Sequence, residues 1–383
     1  MKPSALTLTA GIFILALFAC VPPTPRQGGV AAPPTLGAAV CTQDKFLRRV
    51  HYLAQTSPPF SLPDSGFQNA PPTDNTTINT SISQDLTDAF NAAPDFFKNQ
   101  LCNLNGIFID RTGCTRYDPG SCTGPGPSDL LWGFRAFDGS GNSAGEFIGT
   151  WLGLWQQGVQ GHAPVLSKFE TGRLQALLNW KSSTPPPTAL TDLETDTAAM
   201  TVLAVLAHEI GHVFWYDAFV VKSPDGSPNP GGSADFGKFC GGTFYTPGGA
   251  GQGSWLLPPS VPDHRWVSFG EPRNYHKADD VDLTKLGFDL DHGKFADAGD
   301  LLHGVFAGIQ NGRWASTLAA FSTDEDFVET FQLFVLRHAR PPLQHLRVRF
   351  AGRAQRYLED IPYTFNQKPE LVRKSSCFDY LLP

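Results

Sequence analysis

The segment VLAVLAHEIGHVFWYD, residues 202–217, constrains the fold more than any other stretch of the chain. Apolar residues surround most of its helical circumference, which marks a buried helix. Within it, His208 and His212 stand four residues apart, with Glu209 next to the first. Residues four apart on a helix share a face one turn apart, so both imidazoles can point at a single position. Glu209 lies about 100° around the helix and cannot easily join them. Ionisable groups on a buried helix need partners. Any fold of this chain must therefore bury the helix and still bring partners to its His-Glu-His face.

The chain has 383 residues, room for one large domain or two ordinary ones. Apolar residues make up 41% and charged residues 17%, with 38 Gly and 32 Pro. That balance indicates a loop-rich globular protein with a real core, not a coiled coil or a charged disordered chain. A net charge of -7 with no basic run argues against nucleic acid as a partner.

The start, MKPSALTLTAGIFILALFAC, joins Lys2 to an apolar run too short to span a membrane. Residues 1–19 are expected to be a secretory signal. Leu17-Phe18-Ala19-Cys20 resembles a bacterial lipobox, which implies a lipid anchor on Cys20 and a place in the cell envelope, facing the periplasm or the surface. An ordinary exported protein cut near the same point is the alternative. Residues 20–43 begin with a Pro- and Gly-rich stretch and read as a flexible tether. Six further cysteines, Cys41, Cys102, Cys114, Cys122, Cys240 and Cys377, suit up to three disulfides outside the cytoplasm. The clustering of Cys102, Cys114 and Cys122 predicts a local bridge. No CxxC pair supports a cysteine-rich zinc site.

Three further segments follow from composition and periodicity. Residues 44–221 form an N-terminal subdomain, with helices either side of Pro94, paired strands in LLWGFRAF and EFIGTWLGLW, and an amphipathic helix in KFETGRLQALLNWKSS. The helix carrying the two histidines is expected to be capped by Thr191 or Asp192. Residues 222–262 are a Gly- and Pro-rich loop insertion. Residues 263–383 contain two helical patterns, STDEDFVETFQLFVLRHA and LQHLRVRFAGRAQRYLED, the second with a basic face.

Neutral imidazole suits Zn²⁺, and Glu209 can reach a water beside such an ion. HExxH on a helix is the pattern of zincin metallopeptidases, in which the Glu serves as general base. Val205, Leu206, Ile210, Gly211, Val213 and Phe214 match the uncharged flanks typical of that helix. A catalytic zinc usually takes three protein ligands. The metzincin arrangement would need Gly and His where Trp215 and Ala218 stand, so the third ligand must come from elsewhere. Five glutamates follow: Glu271, Glu325, Glu329, Glu359 and Glu370. Glu271 precedes a proline, and Glu359 and Glu370 read as solvated. Glu325 and Glu329 sit one turn apart on a helix whose next turns are apolar, where carboxylates need partners.

DEDFVETF resembles the corresponding segment of gluzincins of the lethal-factor-like group and of related bacterial zinc metallopeptidases. The resemblance covers the two helices. It implies that Glu325 is the third metal ligand and that Glu329 supports a ligand from behind. Asp217 could hydrogen-bond a ligand histidine, cap the helix end or face solvent. Two departures stand out. As many as 112 residues separate His212 from Glu325, and Leu318 occupies the position of the family's oxyanion-stabilising Tyr. Tyr245, Tyr275 and His276 are the candidate replacements. Asp289, Asp291, Asp297 and Asp300 form an acidic stretch that reads as a solvated turn rather than a calcium loop.

The expectation is an α+β, zincin-like fold: a small mixed sheet with the HExxH helix, followed by a mainly helical C-terminal subdomain. The implied function is zinc-dependent hydrolysis of a peptide or protein substrate, as an endopeptidase, with Zn²⁺ on His208, His212 and Glu325 and Glu209 as base. The alternatives are a non-catalytic zincin-like envelope protein used in binding or assembly, and a zinc amidohydrolase acting on a cell-wall component.

Overall fold

The computed structural model describes residues 41–55, 70–111, 132–137, 143–178, 189–193, 195–219, 245–247, 253–255, 289, 294–310, 314–320, 323–353, 355–362 and 378. Cys41–Pro383 is one compact unit, distinct from Met1–Val40. The expected signal, Cys20 and residues 20–40 of the tether lie outside the described residues, as do Glu271, Tyr275, His276, Asp291 and Glu370.

A five-stranded mixed sheet organises the first half. Its strands are β1 (Val50–Leu53), β2 (Thr73–Asp74), β3 (Gly106–Asp110), β4 (Trp132–Phe137) and β5 (Ser143–Trp151), in the order β2-β1-β3-β5-β4. The three inner strands run parallel, and β2 and β4 close the edges antiparallel. Every residue of the central strand β3 is buried, as expected of a parallel strand covered on both faces. The β4–β5 pair is the hairpin that the aromatic, β-branched segments predict.

Helix α1 (Gln43–Leu47) precedes the sheet. Between β1 and β3 the chain forms α2 (Thr80–Ala92) and α3 (Asp95–Asn103). Asn79 caps α2, accepting a hydrogen bond from the Ser81 N–H, and buried Ile82, Leu86, Ala89 and Phe90 make one stripe. Pro94 forces Ala93 into an extended conformation and separates the two helices. Short α4 (Gly153–Gln156) and α5 (Leu166–Leu178) follow β5.

Strand β6 (Leu190–Leu193) and helix α6 (Ala198–Phe219) come next. Thr191 and Asp192 therefore do not cap α6 but lie in the strand. Thr197 takes that role, its hydroxyl accepting from the Met200 N–H at 3.2 Å. Helix α6 is buried along one side after another, from Met200 through Val213, and packs on α2, β4 and β5.

After two short strands, β7 (Tyr245–Pro247) and β8 (Gly253–Trp255), come α7 (Phe295–Gln310), a 3-10 turn at Leu318–Ala320 and α8 (Thr323–His338). Arg337 and His338 sit in the last turn of α8, favourably placed at its negative end. The closing segment, read from sequence as a helix, is instead a hairpin of β9 (His345–Ala351) and β10 (Arg356–Pro362). Its residues alternate: Val348 and Phe350 face inward while Arg347 and Arg349 face out, the period of a strand. β9 also pairs with β6, giving a second sheet in the order β10-β9-β6. The second half is thus mixed, not mainly helical.

Cys41 bonds to Cys102 across 61 residues, because α1 packs against α3. Cys102 is therefore not part of a local bridge with Cys114 or Cys122, which lie outside the described residues along with Cys240 and Cys377. Among the described residues, no helix is long and apolar enough to cross a membrane.

Candidate metal centre

The two helices expected to meet do meet, and at their most ionisable turns. α6 and α8 form the most extensive helix–helix contact among the described elements. Gly211, between the two histidines, lies against Val328, between the two glutamates. A methyl group on Gly211 would stand 3.1 Å from the Val328 Cα. Any larger residue would press on the Val328 backbone, and the close approach carries the carboxylates of α8 to the histidines of α6.

His208, His212 and Glu325 converge so that one donor atom from each lies within 4.8 Å of the others. Nε2 of His208 and Nε2 of His212 are 3.2 Å apart. Glu325 places Oε2 3.7 Å from the first and Oε1 3.7 Å from the second. Donors about 2.0–2.2 Å from one ion at tetrahedral angles stand roughly 3.3–3.6 Å from each other. The spacing thus fits a zinc-sized ion. His212 and Glu325 are about a quarter exposed while His208 is nearly covered, so the group opens to solvent on one side.

Glu209 is buried, and its Oε1 stands 4.0 Å from His208 Nε2. It borders the convergence point from the side, as its place on the helix dictates. Edge strand β4 passes directly over this turn. A Cβ on Gly133 would lie 2.0 Å from the Glu209 carbonyl oxygen and 3.3 Å from the His212 Cβ.

Glu329 is buried behind His208, and its Oε1 lies 2.8 Å from His208 Nδ1. An ionised carboxylate only accepts, so Nδ1 carries a proton, and Nε2 is the nitrogen that would offer its lone pair to a metal once its own proton is displaced. The same Glu329 oxygen accepts from Arg173 Nη2 at 2.9 Å, and Arg173 Nη1 donates to Glu170 at 3.1 Å. The Ser316 hydroxyl also bonds Glu329. Burial by itself would raise the Glu329 pKa, but Arg173 and His208 outweigh it and hold the carboxyl well below its ordinary range. Burial likewise lowers His208, yet Glu325, the hydrogen bond to Glu329 and the Glu209 charge prevail and push it up to about 9. Burial raises Glu170 against the attraction of Arg173. Around His208, four carboxylates face one permanent cation, Arg173. A dication between Nε2 of both histidines and Glu325 would offset that excess.

Arg173, Glu170, Ser316 and Gly133 had no signal in the sequence beyond a local Glu–Arg pair on α5. Asp217 lies on α6 and Tyr245 on β7, but neither side chain is among those described. Leu318 sits in the 3-10 turn before α8. Glu359, read as solvated, is buried on β10, where His303 Nδ1 approaches it to 2.5 Å and Gln310 donates to it at 2.7 Å. The acidic stretch does not converge on a cation among the described residues. Asp289 is buried rather than solvated, Asp300 accepts from the Tyr357 hydroxyl, and Asp297 pairs with Arg353. Compared with models of known protein families, with curated proteins and with solved structures, the chain matches none.

Proposed function

We propose that this chain is a zinc metallopeptidase of gluzincin type that cleaves peptide bonds within a peptide or protein substrate. The observation that carries the reading is the convergence of His208, His212 and Glu325 on one point, with the buried Glu209 carboxylate at its edge. His208 and His212 would bind zinc through Nε2 and Glu325 through a carboxylate oxygen. A zinc ion bound there lowers the pKa of water and polarises a carbonyl oxygen.

Glu209 is the proton carrier. Its buried carboxylate stands 4.0 Å from His208 Nε2, within reach of a water held at the convergence point. It accepts a proton from the attacking water and hands it to the leaving amine. Glu329 keeps the His208 proton on Nδ1 throughout, so Nε2 stays available as a donor atom. We place the protein, on its sequence alone, outside the cytoplasm and held to a membrane by lipid on Cys20.

The test is cleavage of a mixed peptide library by the zinc-loaded chain, with and without a chelator. Cleavage should vanish with the chelator and return with zinc, and Glu209→Gln should retain zinc while losing hydrolysis. Bound zinc with no cleavage of any peptide would favour a binding or assembly module. Release of a cell-wall amide instead would make it an amidohydrolase.

A further inference from the structure

Behind the metal-facing residues lies a chain of charges that reaches a different element of the fold. Glu170 and Arg173 both belong to α5, one turn apart, and Glu329 belongs to α8. Arg173 spans the gap with its two terminal nitrogens, giving Nη1 to Glu170 and Nη2 to Glu329. The fork is fixed further by the Phe169 ring, over which the guanidinium sits at 5.8 Å. Apolar side chains, among them Leu166, Leu174 and Phe306, line the cavity around this pair. Electrostatic attraction in such surroundings is strong, and an uncompensated charge is costly.

We infer that Arg173 is a positioning residue for the metal centre, acting through Glu329 on the orientation of the His208 ring. This rests on the reading of His208, His212 and Glu325 as zinc ligands. The argument turns on one atom. Oε1 of Glu329 accepts from both Arg173 Nη2 and His208 Nδ1. The Arg173 contact therefore fixes in place the very oxygen that holds His208 by its Nδ1. Without Arg173 that oxygen loses one of the two contacts that set its place, and the imidazole it holds can turn so that Nε2 no longer points at the position shared with His212 and Glu325. Glu170 anchors the other side of the guanidinium and stops it from turning toward solvent. Lysine could supply the charge but not the two-pronged reach, since its donors share one nitrogen.

The experiment measures zinc affinity by competition with a chromophoric chelator, and the imidazole shell around zinc by X-ray absorption. It compares the zinc-free and zinc-loaded full chain with Arg173→Gln, Arg173→Lys and Glu170→Gln. We expect Arg173→Gln to weaken zinc binding roughly 10–100-fold, the range typical when a group supporting a ligand is removed. The imidazole shell around zinc should lose amplitude in parallel. Arg173→Lys should recover part of both, and Glu170→Gln should show a smaller loss. A purely structural role would lower the melting temperature without altering the imidazole shell. Unchanged affinity and an unchanged imidazole shell in folded Arg173→Gln would overturn the inference. If that variant does not fold, the same result in Glu170→Gln and Arg173→Lys would overturn it. Failure of the unaltered chain to bind zinc would instead overturn the underlying assignment of the ligands, so the two failures are distinct.

Discussion

Nδ1 of His208 and Oε1 of Glu329 lie 2.8 Å apart although 121 positions separate them in sequence. The contact ties the HExxH helix to the helix that brings Glu325. It also decides which imidazole nitrogen faces the convergence point. Much of the chemistry follows from that pair, and so do the predictions.

Glu329→Gln keeps the shape but removes the charge. An amide can still accept from His208 through its oxygen, yet it no longer balances Arg173. Breaking a buried ion pair by removing one partner costs about 3–5 kcal/mol, with Glu170 offsetting part of it here. Thermal melting should fall accordingly, and zinc affinity should drop roughly 10–100-fold. An unchanged melting temperature, checked by calorimetry, would contradict the buried pairing.

The metal-free chain should show two pH limits. Glu329 has its pKa depressed by folding, so its contribution is present above the ordinary carboxyl value of 4.5 and is lost as pH falls below it. His208 has its pKa raised from 6.5 to about 9, so its contribution is present below 6.5 and is lost as pH rises through 9. Urea denaturation across this range should give a stability maximum between those limits. Zinc requires neutral imidazole, and saturating zinc should remove the alkaline decline.

Gly133→Ala should disturb the site without touching an ionisable group. Its methyl would meet the Glu209 carbonyl, a backbone atom of a helix that cannot rotate away. Either β4 or α6 must shift, at a cost of roughly 1–3 kcal/mol. Lower zinc affinity with a parallel loss of cleavage is expected, measured beside a control substitution on the exposed face of α2.

Opening the Cys41–Cys102 bond should separate fold stability from the metal centre. The bridge joins Cys41, just before α1, to Cys102 on α3, supplies no residue to the His208, His212 and Glu325 group, and closes 61 residues of chain. Its removal by Cys41→Ala/Cys102→Ala should cost about 2–5 kcal/mol and leave zinc stoichiometry unchanged.

What could be read from the sequence was local or strongly patterned. The apolar ring around α6 marked it as buried, and Glu325 and Glu329 stood out because charged residues seldom occupy a buried turn unpaired. The β4–β5 hairpin and the break at Pro94 were written in their own residues. Errors arose where a distant partner decides. Residues 190–193 resemble a helix cap, but β9, some 150 positions later, recruits them as a strand. The hairpin at 345–362 looked amphipathic at helical spacing because inward Val348 and Phe350 share the segment with outward arginines. Glu359 seemed solvated because His303 and Gln310, its partners, come from α7. Arg173 was invisible for the same reason, since its role depends on a carboxylate 156 positions away.

X-ray absorption at the zinc edge of the loaded chain reads the ligand set of His208, His212 and Glu325 itself. It should show one zinc per chain with nitrogen and oxygen donors at about 2.0–2.2 Å, two of them imidazoles, and loss of one oxygen donor in Glu325→Gln. A sulfur shell at about 2.3 Å, or a spectrum unaltered by Glu325→Gln and His212→Ala, would contradict that ligand set.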